Sequence, residues 1–267
     1  MDSTTAPVEP KCRIQGRSRT ASPYVITDRE APRGTFSATK EMKEMLRSLY
    51  TMLDYHIAAT DGELGRVQDF LFDDESWIVD YLVVDTAMPP EKREVLINPF
   101  AAGVPDWETK RLPVLLSCQQ ILNSPPLTSD MPISRQRRAG LKLPGSHLRS
   151  MREVLGYSIH TADREAGSLE DFIVEDTLWG IHHAILALVQ PPQRSILASP
   201  TSIRSISWPG KAAWMNLTFK DLQKKPDFDA TSPVNRDSQH RLYDYYGRPV
   251  IPYPPFTRES GLDSPQH

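Results

Sequence analysis

The chain has 267 residues, long enough for two domains of ordinary size, since a domain usually runs to roughly 100–150 residues. Hydrophobic residues make up 39%, and 24 prolines stand against 13 glycines, so stretches without a core are expected beside the folded parts. The formal charge of -3 gives no global attraction for nucleic acid or anionic membranes, and two cysteines, Cys12 and Cys118, are too few for a disulfide framework.

Residues 1–43 begin "MDSTTAPVEPKCRIQGRSRT", without the apolar segment of a secretory signal, and read as a disordered tail. A first folded unit is expected over 44–130. "YHIAAT" (55–60), the turn dipeptide Asp61-Gly62 and "ELGRVQDFLFD" (63–73) predict a hairpin. After the polar turn "DDES", the apolar run "WIVDYLVVDT" (77–86) predicts a strand covered on both faces, and "REVLINPF" and "RLPVLLS" supply two more. Ser117 and Gln120 stand at N-cap and N3 spacing before a short helix that Pro125 stops. Cys118, among Leu115, Leu116 and Ile121, reads as a buried, inert thiol. Residues 131–147 read as a basic linker whose Arg135, Arg137 and Arg138 are solvated.

Residues 148–230 repeat the first unit. At the offset that carries Tyr55 to Tyr157, Ile57, Asp61, Glu63, Gly65, Asp69, Phe70, Asp74 and Trp77 meet Ile159, Asp163, Glu165, Gly167, Asp171, Phe172, Asp176 and Trp179. "LRSL" (46–49) meets "LRSM" (148–151) at the same offset. One residue fewer carries "VLINP" (95–99) to "ILASP" (196–200), Trp107 to Trp208, and Pro132, Ile133 and Arg135 to Pro233, Val234 and Arg236. Thr218 and Asp221 repeat the helix cap, with Pro226 as its stop. A period of about 100 residues is too long for a solenoid and indicates two domains in tandem. Residues 231–267 form a Pro- and Tyr-rich C-terminal tail.

The densest carboxylates, Asp61, Glu63, Asp69, Asp73, Asp74 and Glu75, read as turn chemistry, and their spacing misses the calcium-loop pattern. Asp69 and Asp171 lie in mid-strand and are expected to accept backbone N–H groups near the end of a barrel. His182 and His183 are neighbours in a strand, so they point to opposite faces and do not share a metal, and His160 reads as a surface or hydrogen-bonded residue. No glycine-rich phosphate loop, nucleophile elbow or HExxH is present, so no catalytic, cofactor or metal residue is assigned. The four repeated tryptophans, Trp77, Trp179, Trp107 and Trp208, are expected to pack the core. Gly65 and Gly167 recur at one position, where valine is expected to unfold its own unit.

Short strands apolar on both faces hide their edges most economically in a closed barrel. The pattern "IxxxDxExGxxxDFxxxDxxW", followed by an apolar strand and "VLINP", resembles the PRC-barrel family over roughly 46–128 and 148–229. That resemblance implies a mainly β fold of two small PRC-type barrels in tandem, each closed by a short helix, with disordered tails. It also implies a bacterial, cytoplasmic, non-enzymatic protein without cofactors that works as a protein-interaction or complex-assembly module, with stress response as one setting. Its partners are unidentified proteins, with a homo-oligomer left open; nucleic acid is disfavoured and no integral membrane segment is expected. The alternatives are an RNA- or ribosome-associated protein similar to a maturation factor, or a peripheral component of a photosynthetic reaction-centre complex. The interaction surface is expected at Tyr243, Tyr245, Tyr246 and Arg248 of "YDYYGRP", and where the copies differ, at Arg164, His182 and His183.

Overall fold

A computed structural model of the chain describes residues 46–86, 93–141, 146–189 and 193–228. Strand β1 (Leu46–Ser48) leads through a 3-10 turn at Tyr50–Met52 into the hairpin β2 (His56–Ala59) and β3 (Gly62–Asp73). β4 (Val79–Asp85), β5 (Glu94–Ile97) and β6 (Arg111–Pro113) follow, then helices α1 (Cys118–Leu122) and α2 (Ile133–Arg138). The second half runs β7 (Leu148–Ser150), α3 (Met151–Val154), β8 (Ser158–His160), β9 (Glu165–Glu175), β10 (Ile181–Leu188) and β11 (Arg194–Ala198). It ends in β12 (Ile203–Ser207), β13 (Ala212–Met215) and α4 (Phe219–Gln223).

The fold is mainly β, in two sheets of equivalent order. One runs β5-β4-β3-β2-β6 and the other β11-β10-β9-β8-β13-β12. The hairpins and the apolar third strands form as expected from their turn and strand chemistry. Both capping boxes are complete: Ser117 with Gln120 holds α1, and Thr218 with Asp221 holds α4. The outer edge of each sheet is covered rather than left open, because Leu96 donates its N–H to Pro125 O at 2.8 Å and Phe228 donates to Ser195 O at 2.7 Å. The linker holds an unexpected helix, α2, in which Ser134 and Gln136 are buried.

Each sheet takes a strand from the other copy. β1, ahead of the first unit, pairs antiparallel with β9 (Leu46↔Glu175, Arg47↔Val174, Ser48↔Ile173). β7, ahead of the second, pairs with β3 (Leu71↔Ser150, Phe72↔Arg149, Asp73↔Leu148). The exchange is reciprocal and extends to the repeated tryptophans: Val79 donates its N–H to Trp179 O at 2.9 Å, and Ile181 donates to Trp77 O at 2.7 Å.

Packing follows the same rule. One large core joins both copies, with Phe72 and Phe172 ring centroids 5.1 Å apart and Phe70 stacked on Trp179 at 6.1 Å. A smaller cluster on the outer face of the first sheet, Leu71, Val83, Leu96 and Leu127, is completed by Leu148 of β7. Its counterpart, Ile173, Ile185 and Leu197, is completed by Leu46 of β1. Each of these leucines is worth about 2 kcal/mol of burial, delivered to the opposite copy. The alternate faces of β4 and β10 thus meet different clusters, which is why both strands read as continuous apolar runs.

Gly65 and Gly167 sit where two strands of one sheet approach too closely for a side chain. A Cβ on Gly65, whose φ is +72°, would lie 2.1 Å from Asp85 O, and one on Gly167 would lie 1.8 Å from Ala187 O. Backbone occupies both places, so nothing can move aside cheaply. Gly65→Val and Gly167→Val are each expected to cost more than about 3 kcal/mol. Because the copies share strands and a core, the loss is expected as one transition of the whole molecule, refining the sequence expectation that each would unfold its own unit alone. Urea denaturation followed by tryptophan fluorescence and far-UV circular dichroism checks this; unchanged midpoints, or two separated transitions, would contradict it.

Candidate functional site

The mid-strand aspartates hold the exchanged strands in place. Asp69 accepts N–H groups from Phe70 at 2.8 Å and from Arg152 at 2.9 Å, and the Ser150 hydroxyl donates to its other oxygen. Asp171 is its mirror, accepting from Phe172 N at 2.7 Å, Tyr50 N at 2.9 Å and the Ser48 hydroxyl. The ladders slip one residue before each of them, at Val67/Asp69 against β4 and at Ile185/Leu186 against β9. Such a bulge re-aims a side chain that regular alternation would send elsewhere, here toward the arriving strand. Burial raises the Asp69 carboxyl, and it pushes Asp171 up to about 6 against the opposing pull of the hydrogen bonds. Flanking ion pairs repeat the symmetry, with Arg47 Nε 3.0 Å from Asp176 and Arg149 Nε 2.7 Å from Asp74. The sequence expectation of backbone donors to these carboxylates is met, with a donor from the other copy in each case.

Most other carboxylates of the acidic stretch have structural partners. Asp61, in the β2–β3 turn, accepts the Cys118 N–H at 2.7 Å and so tethers the start of α1; Asp163 does the same for Phe219 at 2.8 Å. Asp73 accepts from Glu75 N and Ser76 N inside its own turn, and Glu63 pairs with Arg111. Among the described residues no group of three or more His, Cys, Asp or Glu is placed to hold a metal ion, and no helix is long and apolar enough to cross a membrane. Cys118 is buried as expected, and Cys12 lies outside the described residues.

Several surface expectations need correction. His182 and His183 are 8% and 5% exposed, because β10 is buried along its whole length, so they form no interaction surface. Burial lowers the His182 imidazole, and it lowers His183 to about 4, helped by His182 and Lys225; both are therefore neutral near pH 7. Trp77 and Trp179 pack as expected, but Trp107 is 67% exposed and does not. Trp208 is half-buried, its Nε1 donating to Glu153 Oε1 at 2.7 Å. Arg135 and Arg138 of α2 are engaged rather than merely solvated, 2.8 Å from Glu94 and Glu153 respectively. Arg164 is exposed, with its guanidinium 4.7 Å from the centre of the Phe219 ring. Tyr243, Tyr245, Tyr246 and Arg248 lie outside the described residues.

The surface that does distinguish the copies is on the first sheet. Phe100, Val104 and Leu115 are 60%, 69% and 74% exposed, and they lie along one ladder, where Leu115 donates its N–H to Ala101 O and Gly103 donates to Pro113 O. The offset that carries Trp107 to Trp208 places Thr201, Ser205 and Asn216 at the same positions of the second copy, all exposed. The second copy carries Trp214 where the first has Pro113, a ring 39% exposed with its other surface stacked on His160 at 5.5 Å. The apolar-to-polar change was readable by comparing the two copies, although only burial shows that these positions face solvent. Comparison with known protein families and with curated proteins returns no match.

The buried Asp171 carboxyl sets a pH dependence of known sign. A folded-state value raised from 3.8 to about 6 gives stability that is full below the ordinary carboxyl range and lost as the pH rises through 6. The gap corresponds to roughly 3 kcal/mol. Asp171→Asn keeps one oxygen to accept from Tyr50 and Phe172 and has no charge to bury. Between about pH 4 and about pH 7 the natural chain is therefore expected to lose a few kcal/mol more stability than Asp171→Asn, measured by urea unfolding at each pH. Parallel profiles would contradict it.

Proposed function

We propose that this chain is a non-enzymatic protein-interaction or complex-assembly module of two PRC-type barrels, coupled by strand exchange and working in the cytoplasm. The observation that carries the reading is the exposed apolar ladder of Phe100, Val104 and Leu115, set against Thr201, Ser205 and Asn216 on the copy otherwise built alike. Isolated exposed apolar residues are ordinary, but several along one ladder, absent from its duplicate, mark a docking edge. The barrel reading is supported by the repeated order of hairpin, long apolar strand, two short strands and capped helix, together with the shared "IxxxDxExGxxxDFxxxDxxW" residues. The non-enzymatic reading is supported by the carboxylates themselves, whose oxygens are spent on helix starts, turns and the exchanged strands. Duplication gives two unlike edges, one with Phe100, Val104 and Leu115 exposed and one where Trp214 is the exposed apolar side chain among Thr201, Ser205 and Asn216, which suits asymmetric assembly better than symmetric bridging.

The test is comparative capture from the native cell. Phe100→Asp with Leu115→Asp is expected to abolish the proteins retained by the natural chain, with melting temperature unchanged because both side chains face solvent. Thr201→Asp with Asn216→Asp is expected to retain them. Equal capture by all three chains would overturn the assignment of this edge, and retention of RNA or ribosomal proteins would favour the maturation-factor alternative.

A further inference from the structure

The turn before β6 and the turn before β13 are built alike. Asp106 pairs with Arg111 and Ser207 with Ala212, and Lys110 and Lys211 both take left-handed backbone, with φ of 52° and 45°. Asp106 Oδ1 accepts Thr109 N at 3.2 Å as Ser207 Oγ accepts Gly210 N at 3.3 Å. Each turn docks on its hairpin in the same way, Lys110 O accepting His56 N at 2.9 Å and Lys211 O accepting Ser158 N at 3.0 Å. Trp107 and Trp208 therefore hold one place in the two copies. In the second copy that place is covered: α2 lays Arg138 over Trp208, with the guanidinium 5.2 Å from the ring centre, and both Arg138 Nη2 and Trp208 Nε1 donate to Glu153 Oε1. In the first copy Trp107 is 67% exposed, and among the described residues no guanidinium or ring stacks on it.

The charges around the uncovered ring differ as well. Glu153 is Thr51 in the first copy, but Ser207, Pro209 and Gly156 are Asp106, Glu108 and Asp54, and Arg152 is Tyr50, all of them exposed. Lys110 has its counterpart in Lys211 and leaves the balance unchanged, and Arg111 is paired with Glu63. Asp54 is only loosely neutralised, by Arg152 at 3.5 Å with both side chains well exposed. The Thr109 hydroxyl and N–H hold the Asp106 carboxyl below the usual range, so it stays charged. That charge reaches the neighbouring ring: burial raises the Tyr55 hydroxyl most, Arg47 opposes, and Asp106 adds to the rise. At Tyr157, after burial, the charges felt are those of Glu153, Arg149 and Arg138. The second copy thus supplies its own guanidinium, whereas the first offers a bare tryptophan edged by carboxylates, which attracts cations and repels phosphate.

We propose that Trp107, with Asp106 and Glu108, is a docking seat for an arginine-bearing segment of a partner protein, which lays a guanidinium on the ring as α2 does on Trp208. Arginine suits it better than lysine because a planar guanidinium stacks and donates to a carboxylate at once, as Arg138 does. The seat is separate from the ladder of Phe100 and Leu115. It lies at the Asp106–Arg111 end of its hairpin, whereas those two residues lie beyond the Ala102–Val114 end.

A fluorescent peptide of residues 132–141, "PISRQRRAGL", titrated with the full chain and followed by anisotropy, tests this. The tethered α2 outcompetes the free peptide for Trp208, which leaves Trp107 as its seat. Trp107→Ala is expected to weaken binding about tenfold and Trp107→Phe by less. Glu108→Lys with Asp54→Asn is expected to weaken it several-fold, as is citrulline in place of Arg138 in the peptide, which keeps the shape and removes the charge. Phe100→Asp with Leu115→Asp is expected to bind as the natural chain does, which separates this seat from the apolar ladder. No binding, equal affinity for Trp107→Ala or for the citrulline peptide, or loss of binding in the Phe100 and Leu115 variant would overturn the proposal.

Discussion

The reciprocal exchange of β1 and β7 is the constraint on which the rest of the structure depends. Each is a three-residue strand, too short to hold a sheet edge by its ladder alone. Each is therefore fixed by three further devices: a leucine that completes an outer cluster, a serine hydroxyl and a backbone N–H delivered to a buried aspartate, and an arginine paired with an acidic turn residue. Removing the donors would leave Asp69 or Asp171 buried with part of its hydrogen bonding lost, a heavier penalty than the bonds themselves contribute. That asymmetry makes the exchange nearly compulsory once the sheets form. It also explains why a duplicated unit of this size behaves as a single body with one continuous core.

Duplication under such a constraint divides the residues into two populations. Those serving the exchange are kept in both copies: Asp69 and Asp171, Ser48 and Ser150, Arg47 and Arg149, Trp77 and Trp179. Those facing solvent have separated, as at Phe100 and Thr201 or Leu115 and Asn216. The acidic passage 60–77, which read as a dense group of carboxylates, belongs to the first population. Two of its members, Asp69 and Asp74, meet donors from the opposite copy, and that is why they recur at fixed spacing.

Much of the fold was legible because turns and helix caps are local. Asp61-Gly62, Ser117 with Gln120 and Thr218 with Asp221 specify their structure within a few residues, and the structure places turns and helices there. The strands β1 and β7 were visible only as the repeated "LRSL" and "LRSM", because three residues carry no periodicity of their own. Their pairing across the molecule is a tertiary fact with no local signal. Helix α2 was hidden by its basic composition: Arg135 and Arg138 look solvated until Glu94 and Glu153 arrive from distant parts of the chain. Trp107 was misjudged for the opposite reason, since recurrence with Trp208 records common descent and says nothing of what covers each ring.

The pair Asp80-Tyr81 and His182-His183 shows how a difference between copies is to be weighed. Asp80 is exposed at the start of β4, whereas the same position on β10 is buried beside Glu175, which accepts the N–H of Leu178 at 2.9 Å. A carboxylate buried there would add a second negative charge to a site that already holds one, whereas an imidazole can enter neutral at far lower cost. The lowered His182 and His183 values agree with that course. The histidines therefore record the covering of β10 and not a new activity. Divergence carries functional weight where both members of a pair face solvent, a condition that Phe100 and Thr201 meet and that Asp80 and His182 fail.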